Sequence, residues 1–216
     1  MKASDLILIV AGFLGLFLLM TILYGNPTGK QAQIICPKVI TTREPVRVAI
    51  VRFADASGLY GKLLDMFGWD IKKSLPIMVE TALQLQRNFR VYAREQLVNL
   101  VIEEQKFENL EGYVDPSTAV KIGKLTGIQY LITGMITDFA TRTLPTPIVQ
   151  PTASTFTVDF RMIDTTTGEI VLANAVSGTV MGGGLGKLDL GTIQRAARDT
   201  ANKVAESIAS CVVISY

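Results

Sequence analysis

Histidine is absent from the 216-residue sequence, and cysteine occurs only twice. Without histidine the chain lacks the usual general base, the commonest zinc ligand and every Ser-His or Cys-His nucleophile. Most hydrolase mechanisms are thereby excluded. We therefore expect a protein that is not an enzyme and that carries no metal or cofactor.

A complete phosphate-binding loop is also missing. In the glycine-rich segment 182–187 (GGGLGK), Leu188 stands where such a loop needs Ser or Thr, and Met181 stands where its first glycine should be. Lys187 replaces the third glycine of a dinucleotide-binding loop. We interpret the segment as a flexible hinge or loop.

Long runs of one charge are missing as well. Lys and Arg number 21 against 19 Asp and Glu, a formal net charge of +2. The longest basic run is Lys72-Lys73, so nucleic acid is not an expected partner. Glu103 and Glu104 are adjacent on a predicted helix and point about 100° apart, which favours a solvated face over a paired carboxylate site.

The two cysteines, Cys36 and Cys211, lie near opposite ends of the chain that follows the N-terminal hydrophobic run, and they do not form a CxxC motif. In an oxidising compartment they could pair and tie the start of the domain to its last helix. The alternative, which the sequence favours, is two unpaired small apolar residues. Gln33-Ile34-Ile35 precede Cys36 where lipoprotein processing needs a small residue, so Cys36 is not expected to be acylated.

One long hydrophobic run is present, Leu6–Leu23, with Phe13 near its middle and no charge within it. About 18 to 20 residues at 1.5 Å each match a hydrocarbon core of about 30 Å. The residues after Leu23 offer no good cleavage site, which indicates an uncleaved signal anchor. The predicted organisation is an anchor over residues 1–30, a linker over 31–45 and one domain over 46–216.

The periodicity of this domain predicts alternating strands and helices. Val46–Phe53 is apolar on both faces, as in a central strand covered by helices, and Leu59–Phe67 is interpreted as a mobile stretch. Phe156–Gly182 alternates with period two and predicts a hairpin with its turn at Thr165–Gly168. The other predicted elements are a helix over 69–86 (or from Ser74, because of Pro76), a strand over 89–92, helices over 94–105 and 115–127, a strand over 128–139, a proline-rich loop over 144–151 and a helix over 192–212. This order indicates the α/β class, with a transmembrane helix followed by one mixed α/β sandwich domain.

Four motifs occur in order along the domain: VAIVRFADxSG at 48–58, FxVxxRExLxxL at 89–100, YLIxGxI at 130–136 and VxxRxIDxxTGEI at 158–170. Together they resemble the CsgG family, named after the curli secretion channel. The fold also resembles that of LpoB-type activators of cell-wall synthases and of the amino-terminal domain of TolB. Because a shared fold does not fix a function, the expectations that follow are those of the resemblance.

The CsgG resemblance implies a periplasmic domain that oligomerises into a ring and forms a conduit for other polypeptides. By position, Leu59–Trp69 would be the loop that narrows the conduit, with Tyr60, Phe67 and Trp69 as candidate lumen-facing aromatics. The alternative, slightly favoured, is that these aromatics pack on the domain or on a neighbouring subunit. The implied partners are further copies of the chain, the lipid bilayer and other envelope or secreted polypeptides.

Three features depart from the family pattern, which implies two membrane-spanning hairpins per subunit. The connection Ala140–Ser154 is short for such a hairpin, and Gly182–Leu190 provides no second one. A lipid-anchoring cysteine is missing and an apparent helical anchor replaces it, which favours a ring-forming scaffold on the inner membrane over a full secretion pore. Outer-membrane association is the alternative location.

The basic residues Lys30, Lys38 and Arg43 follow the span, so a positive-inside count favours a cytoplasmic domain and conflicts with the periplasmic expectation. The alternative function is a monomeric, LpoB-like domain that docks on and activates a membrane-bound cell-wall synthase.

Overall fold

The computed structural model of the protein describes Cys36 and residues 39–92, 114–143, 152–182 and 189–215. Within these residues the chain forms seven strands and four helices. In chain order they are β1 (Ile40–Thr42), β2 (Val46–Asp55), α1 (Leu59–Phe67), α2 (Ile71–Gln84), β3 (Phe89–Tyr92), α3 (Pro116–Thr126), β4 (Tyr130–Thr143), β5 (Thr152–Asp164), β6 (Ile170–Gly182), α4 (Leu190–Ser210) and β7 (Val212–Ile214).

Five strands form a mixed sheet in the order β3-β2-β4-β5-β6. Strand β2 is parallel to both β3 and β4, whereas β5 is antiparallel to its neighbours β4 and β6. The two parallel strands β2 and β3 are joined through α2, as a parallel connection requires. Strands β1 and β7 pair separately in a small parallel sheet, with Ile40 opposite Val212.

The main core lies between the sheet and helices α2 and α4. On β5 the alternate residues Phe156, Val158, Phe160 and Met162 are buried, as the period-two pattern predicts. Helix α4 faces them with the stripe Ile193, Ala197, Ala201, Val204 and Ile208. A smaller cluster on the opposite face joins α3 to β2, β4 and β5 through residues that include Ala49, Ala119, Ile122, Leu131 and Ile163. Strand β2 is thus covered on both faces, and the predicted mixed α/β class is confirmed.

Local signals set the ends of several elements. The Asp115 side chain accepts a hydrogen bond from the Ser117 N–H at the start of α3, and Gly127 ends that helix. The β5–β6 turn closes where the Asp164 carboxylate accepts from the N–H of Thr166 at 2.7 Å and of Thr167 at 3.2 Å. Gly168 follows with φ of 78°, a conformation that favours glycine. The hairpin and α3 are therefore observed as predicted.

Three predicted elements need correction. The stretch Leu59–Phe67 is helix α1 rather than a mobile segment. Helix α2 begins at Ile71, capped by Asp70, and it accommodates Pro76 in its interior. Helix α4 ends at Ser210 instead of residue 212, because the following residues form β7 with β1, and neither of these strands was predicted.

Several predictions lie outside the described residues: the anchor with Leu6, Phe13 and Leu23, residues 31–35, 37 and 38 of the linker, the helix over 94–105, the proline-rich loop and residues 183–188 of the glycine-rich segment. Among the helices that the structure describes, none has the length and apolar character needed to cross a membrane.

Candidate assembly surfaces

A disulfide joins the beginning of the domain to its end. The Sγ atoms of Cys36 and Cys211 are 2.07 Å apart and the two Cα atoms 5.4 Å apart. Next to it the Ile40 N–H donates to the Cys211 carbonyl at 2.8 Å, and the Ser215 N–H donates to the Thr42 carbonyl at 2.8 Å. The sequence favoured unpaired thiols. The structure pairs them because the β1–β7 ladder brings the start of the domain alongside the end of α4.

The segment with the predicted lumen-facing aromatics is organised by Asp55. One oxygen of its carboxylate accepts from the Ser57 N–H at 2.9 Å and from the Ser57 hydroxyl at 2.6 Å, and the other accepts from the Tyr60 N–H at 2.7 Å. The bond from Tyr60 satisfies a backbone donor in the first turn of α1, and the bonds from Ser57 hold the turn before it. The Asp-x-Ser-Gly portion of the first motif therefore starts a helix.

Tyr60, Phe67 and Trp69 are half-buried, and all three pack against the main core of their own domain. The Lys72 ammonium lies over the Tyr60 ring, 4.2 Å from its centroid. This packing agrees with the alternative that the aromatics pack on the domain. A role for them in a lumen stays a prediction.

Helix α4 seals the outer edge of β6. On the β5 side of this strand, the Thr200 hydroxyl accepts from the Gly178 N–H at 3.0 Å. On the outer side, the Asp199 carboxylate accepts from the Thr179 N–H at 3.1 Å, and Lys203 donates to the Ser177 carbonyl at 2.8 Å. An exposed edge strand normally presents such groups to other chains. Over Ser177–Thr179 they are instead bound within the domain, which makes this edge a poor site for strand addition.

The sheet face opposite α4 carries small and hydroxyl side chains. Across β5 and β6, Thr155 and Thr179 lie 3.0 Å apart between their hydroxyl oxygens, and Thr157 and Ser177 lie 2.9 Å apart. Ala173 and Ala175 continue the exposed row on β6. This flat hydroxyl face could meet a partner closely. A second candidate contact surface is formed by exposed apolar residues of α1 and α2, namely Leu64, Met66 and Ile77.

Comparison with known families places the chain. The family model described as "Curli production assembly/transport component CsgG" matches residues 36–145, just over half of the chain. The protein belongs to the CsgG family. No relative was found among curated proteins.

Three solved structures illustrate what this CsgG-family chain resembles. Lipoprotein GNA1162 from Neisseria meningitidis is 13% identical with a TM-score of 0.44, covering 75% of this chain and 99% of its own. The PelC dodecamer from Paraburkholderia phytofirmans is 14% identical with a TM-score of 0.44, covering 80% and 93%. The LpoB C-terminal domain from Salmonella enterica is 14% identical with a TM-score of 0.41, covering 62% and 83%.

The ionisable groups of the CsgG-family domain serve mainly as caps and turns. Burial raises the pKa of the Tyr130 phenol, and the nearby Asp164 carboxylate raises it further. Hydrogen bonds from the Thr192 hydroxyl and the Thr192 N–H lower the pKa of Asp189, which caps α4. Within the described ranges, no cluster of three His, Cys, Asp or Glu side chains could hold a metal ion.

One contact of this CsgG-family fold was missed from the sequence. Gly178 of β6 lies against Thr200 of α4, and nothing in the local sequence of either residue identifies the other. The glycine spacing Gly178–Gly182 against Thr192, Ala196 and Thr200, each four residues apart, was the available signal. Such spacing allows a strand and a helix to come close. It identifies the contact, however, only when the pairing of the strand with the helix is already known.

Proposed function

We propose that this chain is a non-enzymatic, membrane-anchored subunit of a homo-oligomeric ring in a bacterial cell-envelope secretion or assembly system. The observation that carries the proposal is the match over residues 36–145 to a family of curli assembly and transport components. Family membership supports a component of the cell envelope. The ring, the anchor and the conduit are proposed in addition.

The Cys36–Cys211 bond supports an extracytoplasmic domain. Disulfides persist in oxidising compartments such as the periplasm and are rare in the cytosol. This argues against the cytoplasmic side favoured by the basic residues after the span. A helical anchor at Leu6–Leu23 would then hold the domain on the periplasmic face of the inner membrane.

A structural role also agrees with how the carboxylates are used. Asp55, Asp70, Asp115 and Asp189 each accept backbone N–H bonds at the start of a helix. A carboxylate engaged in this way holds a helix end in place. Together with the lack of histidine, this favours a mechanism based on geometry, in which identical domains surround other polypeptides.

A closed ring requires two different surfaces of each subunit to meet around the symmetry axis. The hydroxyl face of β5 and β6 and the apolar residues of α1 and α2 are the two surfaces that we assign to these contacts. They belong to different elements, so one subunit can present each of them to a different neighbour.

The mass of the full-length protein in mild detergent, measured by light scattering and followed by particle imaging, tests the ring. We expect one large species with rotational symmetry. A monomer at every concentration would contradict the proposal.

Crosslinking in cells separates the ring from the alternative of a monomeric, LpoB-like activator. A ladder of multiples of the subunit mass is the result expected for a ring. A single band with one different protein would instead favour docking on a membrane enzyme such as a cell-wall synthase.

A further inference from the structure

The Cys36–Cys211 bond lies among segments that we call the disulfide end of the domain. This end comprises Cys36 with residues 39–44, 85–90 and 211–215. Asn88 connects these segments, because its side-chain amide donates to the Val212 carbonyl at 2.9 Å and its own carbonyl accepts from the Val46 N–H at 2.8 Å. Thr41 lies opposite Val213 in the β1–β7 pair. Strands β1 and β7 and the end of α2 are therefore neighbours.

Three large apolar side chains are exposed at the disulfide end. Leu85, at the end of α2, is 79% exposed, Val39 is 55% exposed and Val213 is 48% exposed. Isolated exposed apolar residues are ordinary on protein surfaces. Here three of them lie on segments that the Asn88 bonds and the β1–β7 pair hold together, which makes a shared contact the simpler explanation.

The same segments carry exposed basic side chains. Arg43, Arg87 and Arg90 are exposed, and within the residues that the structure describes none of the three forms an ion pair. Arg47 lies beside Arg90 in the β2–β3 register, and Glu44 is the acidic residue of the β1–β2 turn. The disulfide end thus combines an excess of positive charge with apolar side chains, as lipid-facing protein surfaces do.

The chain preceding Cys36 reaches the domain at this same end, because Cys36 is bonded to Cys211. Under the proposed anchor, the disulfide end is therefore the point at which the membrane attachment joins the domain. This step rests on the membrane-anchored function proposed above.

We propose that the disulfide end docks on anionic lipid headgroups of the membrane that holds the anchor. Arg43, Arg87 and Arg90 bind lipid phosphates, and Leu85, Val39 and Val213 enter the interfacial region. A docked domain is oriented as well as tethered. Every subunit of a ring would then face the same way before it meets its neighbours.

Tryptophan quenching by brominated lipids tests this docking in the full-length protein. The single native tryptophan is removed by Trp69→Phe, and Leu85→Trp then places a probe at the disulfide end. The matched control is Met66→Trp, at a residue 60% exposed on α1, which precedes the 14-residue α2. That helix, about 21 Å long, lies between the two probe positions in the chain. Vesicles contain brominated phosphatidylcholine, with or without brominated phosphatidylglycerol.

We expect quenching at position 85 that increases with phosphatidylglycerol, and none at position 66. Adding Arg87→Gln and Arg90→Gln should weaken docking about fivefold per arginine and bring the signal at position 85 towards that at position 66. Equal quenching at both positions, or quenching at position 85 that ignores phosphatidylglycerol, would overturn the proposal.

Flotation of the same vesicles reports on the anchor separately. If the protein floats but position 85 is not quenched, docking is wrong and the anchored function stands. If the protein does not float, the membrane-anchored function is wrong and docking falls with it. The ring is decided independently by the mass measurement.

Discussion

Gly178 is the residue at which β6 lies closest to α4. A Cβ atom at this position would lie 2.5 Å from the Thr200 backbone nitrogen and 2.6 Å from the Ala196 carbonyl oxygen. Backbone atoms in a helix cannot move aside as the end of a long side chain can. The strand or the helix would have to shift, and the hydrogen bond from Gly178 to Thr200 would be distorted.

We therefore expect Gly178→Ala to lower the free energy of unfolding by about 1–3 kcal/mol, as other overpacked sites do. Urea denaturation of the protein in mild detergent, followed by circular dichroism, measures the change. Gly61→Ala is the matched control, because nothing lies within 4 Å of a Cβ atom added there and Gly61 lies inside α1. The control should be neutral or stabilising by up to about 1 kcal/mol. Similar losses in both variants would contradict the close contact.

Asp189 gives the protein an acid-sensitive component of stability. Its pKa is lowered from 3.8 in the folded state by the bonds from Thr192. Because the pKa is lowered on folding, the ionised carboxylate stabilises the folded state at pH values above the pKa of the unfolded chain. This contribution is lost as the pH falls through the pKa of the folded state.

The variant Asp189→Asn lacks this titration. We expect wild type to have the higher melting temperature above about pH 4, and the difference from the variant to shrink as pH falls below that value. Melting curves of the two proteins between about pH 6 and pH 2.5 provide the measurement. A difference that stays constant over this range would contradict the role of Asp189.

At the scale of elements, the disulfide stabilises two strands that are too short to persist alone. Strands β1 and β7 have three residues each, and within the described part of the chain they pair only with each other. The bond between Cys36 and Cys211 closes a loop with a sequence separation of 175. In the chain-entropy description, cross-links over long loops restrict the unfolded chain most.

Replacing both cysteines, Cys36→Ser with Cys211→Ser, should lower the free energy of unfolding by about 2–4 kcal/mol. Denaturation of wild type in the presence of a reductant is the control, and it should reproduce the double variant. Wild type that is unaffected by a reductant able to open the bond would contradict the prediction.

Elements with strong local signals were predictable from the sequence. The β5–β6 hairpin has period-two alternation and a Thr-Gly turn, and α3 has Asp115 as its cap and Gly127 at its end. Helix α1 was missed because its first turn is bonded to Asp55, a residue of the preceding strand, and because Gly61 lowers its helix propensity. Strands β1 and β7 depend on partners at the other end of the chain, which no local pattern reveals.

At the scale of the whole molecule, the motifs identified the family because they shape the fold. Asp55 starts α1, Asp164 and Gly168 form the β5–β6 turn, and Gly134 leaves room for the Phe53 ring. Residues of this kind fix where elements lie within the domain. The family and fold class could therefore be predicted from the sequence, whereas the candidate contact surfaces needed the arrangement of β5, β6, α1 and α2.

The bond between Cys36 and Cys211 also makes the domain a covalent circle. A single break of the backbone anywhere between these two cysteines leaves both fragments joined, and both remain attached to whatever holds the chain before Cys36. A protease site inserted between Thr143 and Thr152 would show this. After cleavage the protein should run at full mass without reductant and as two fragments with it, so a nicked subunit would keep its place in an assembly.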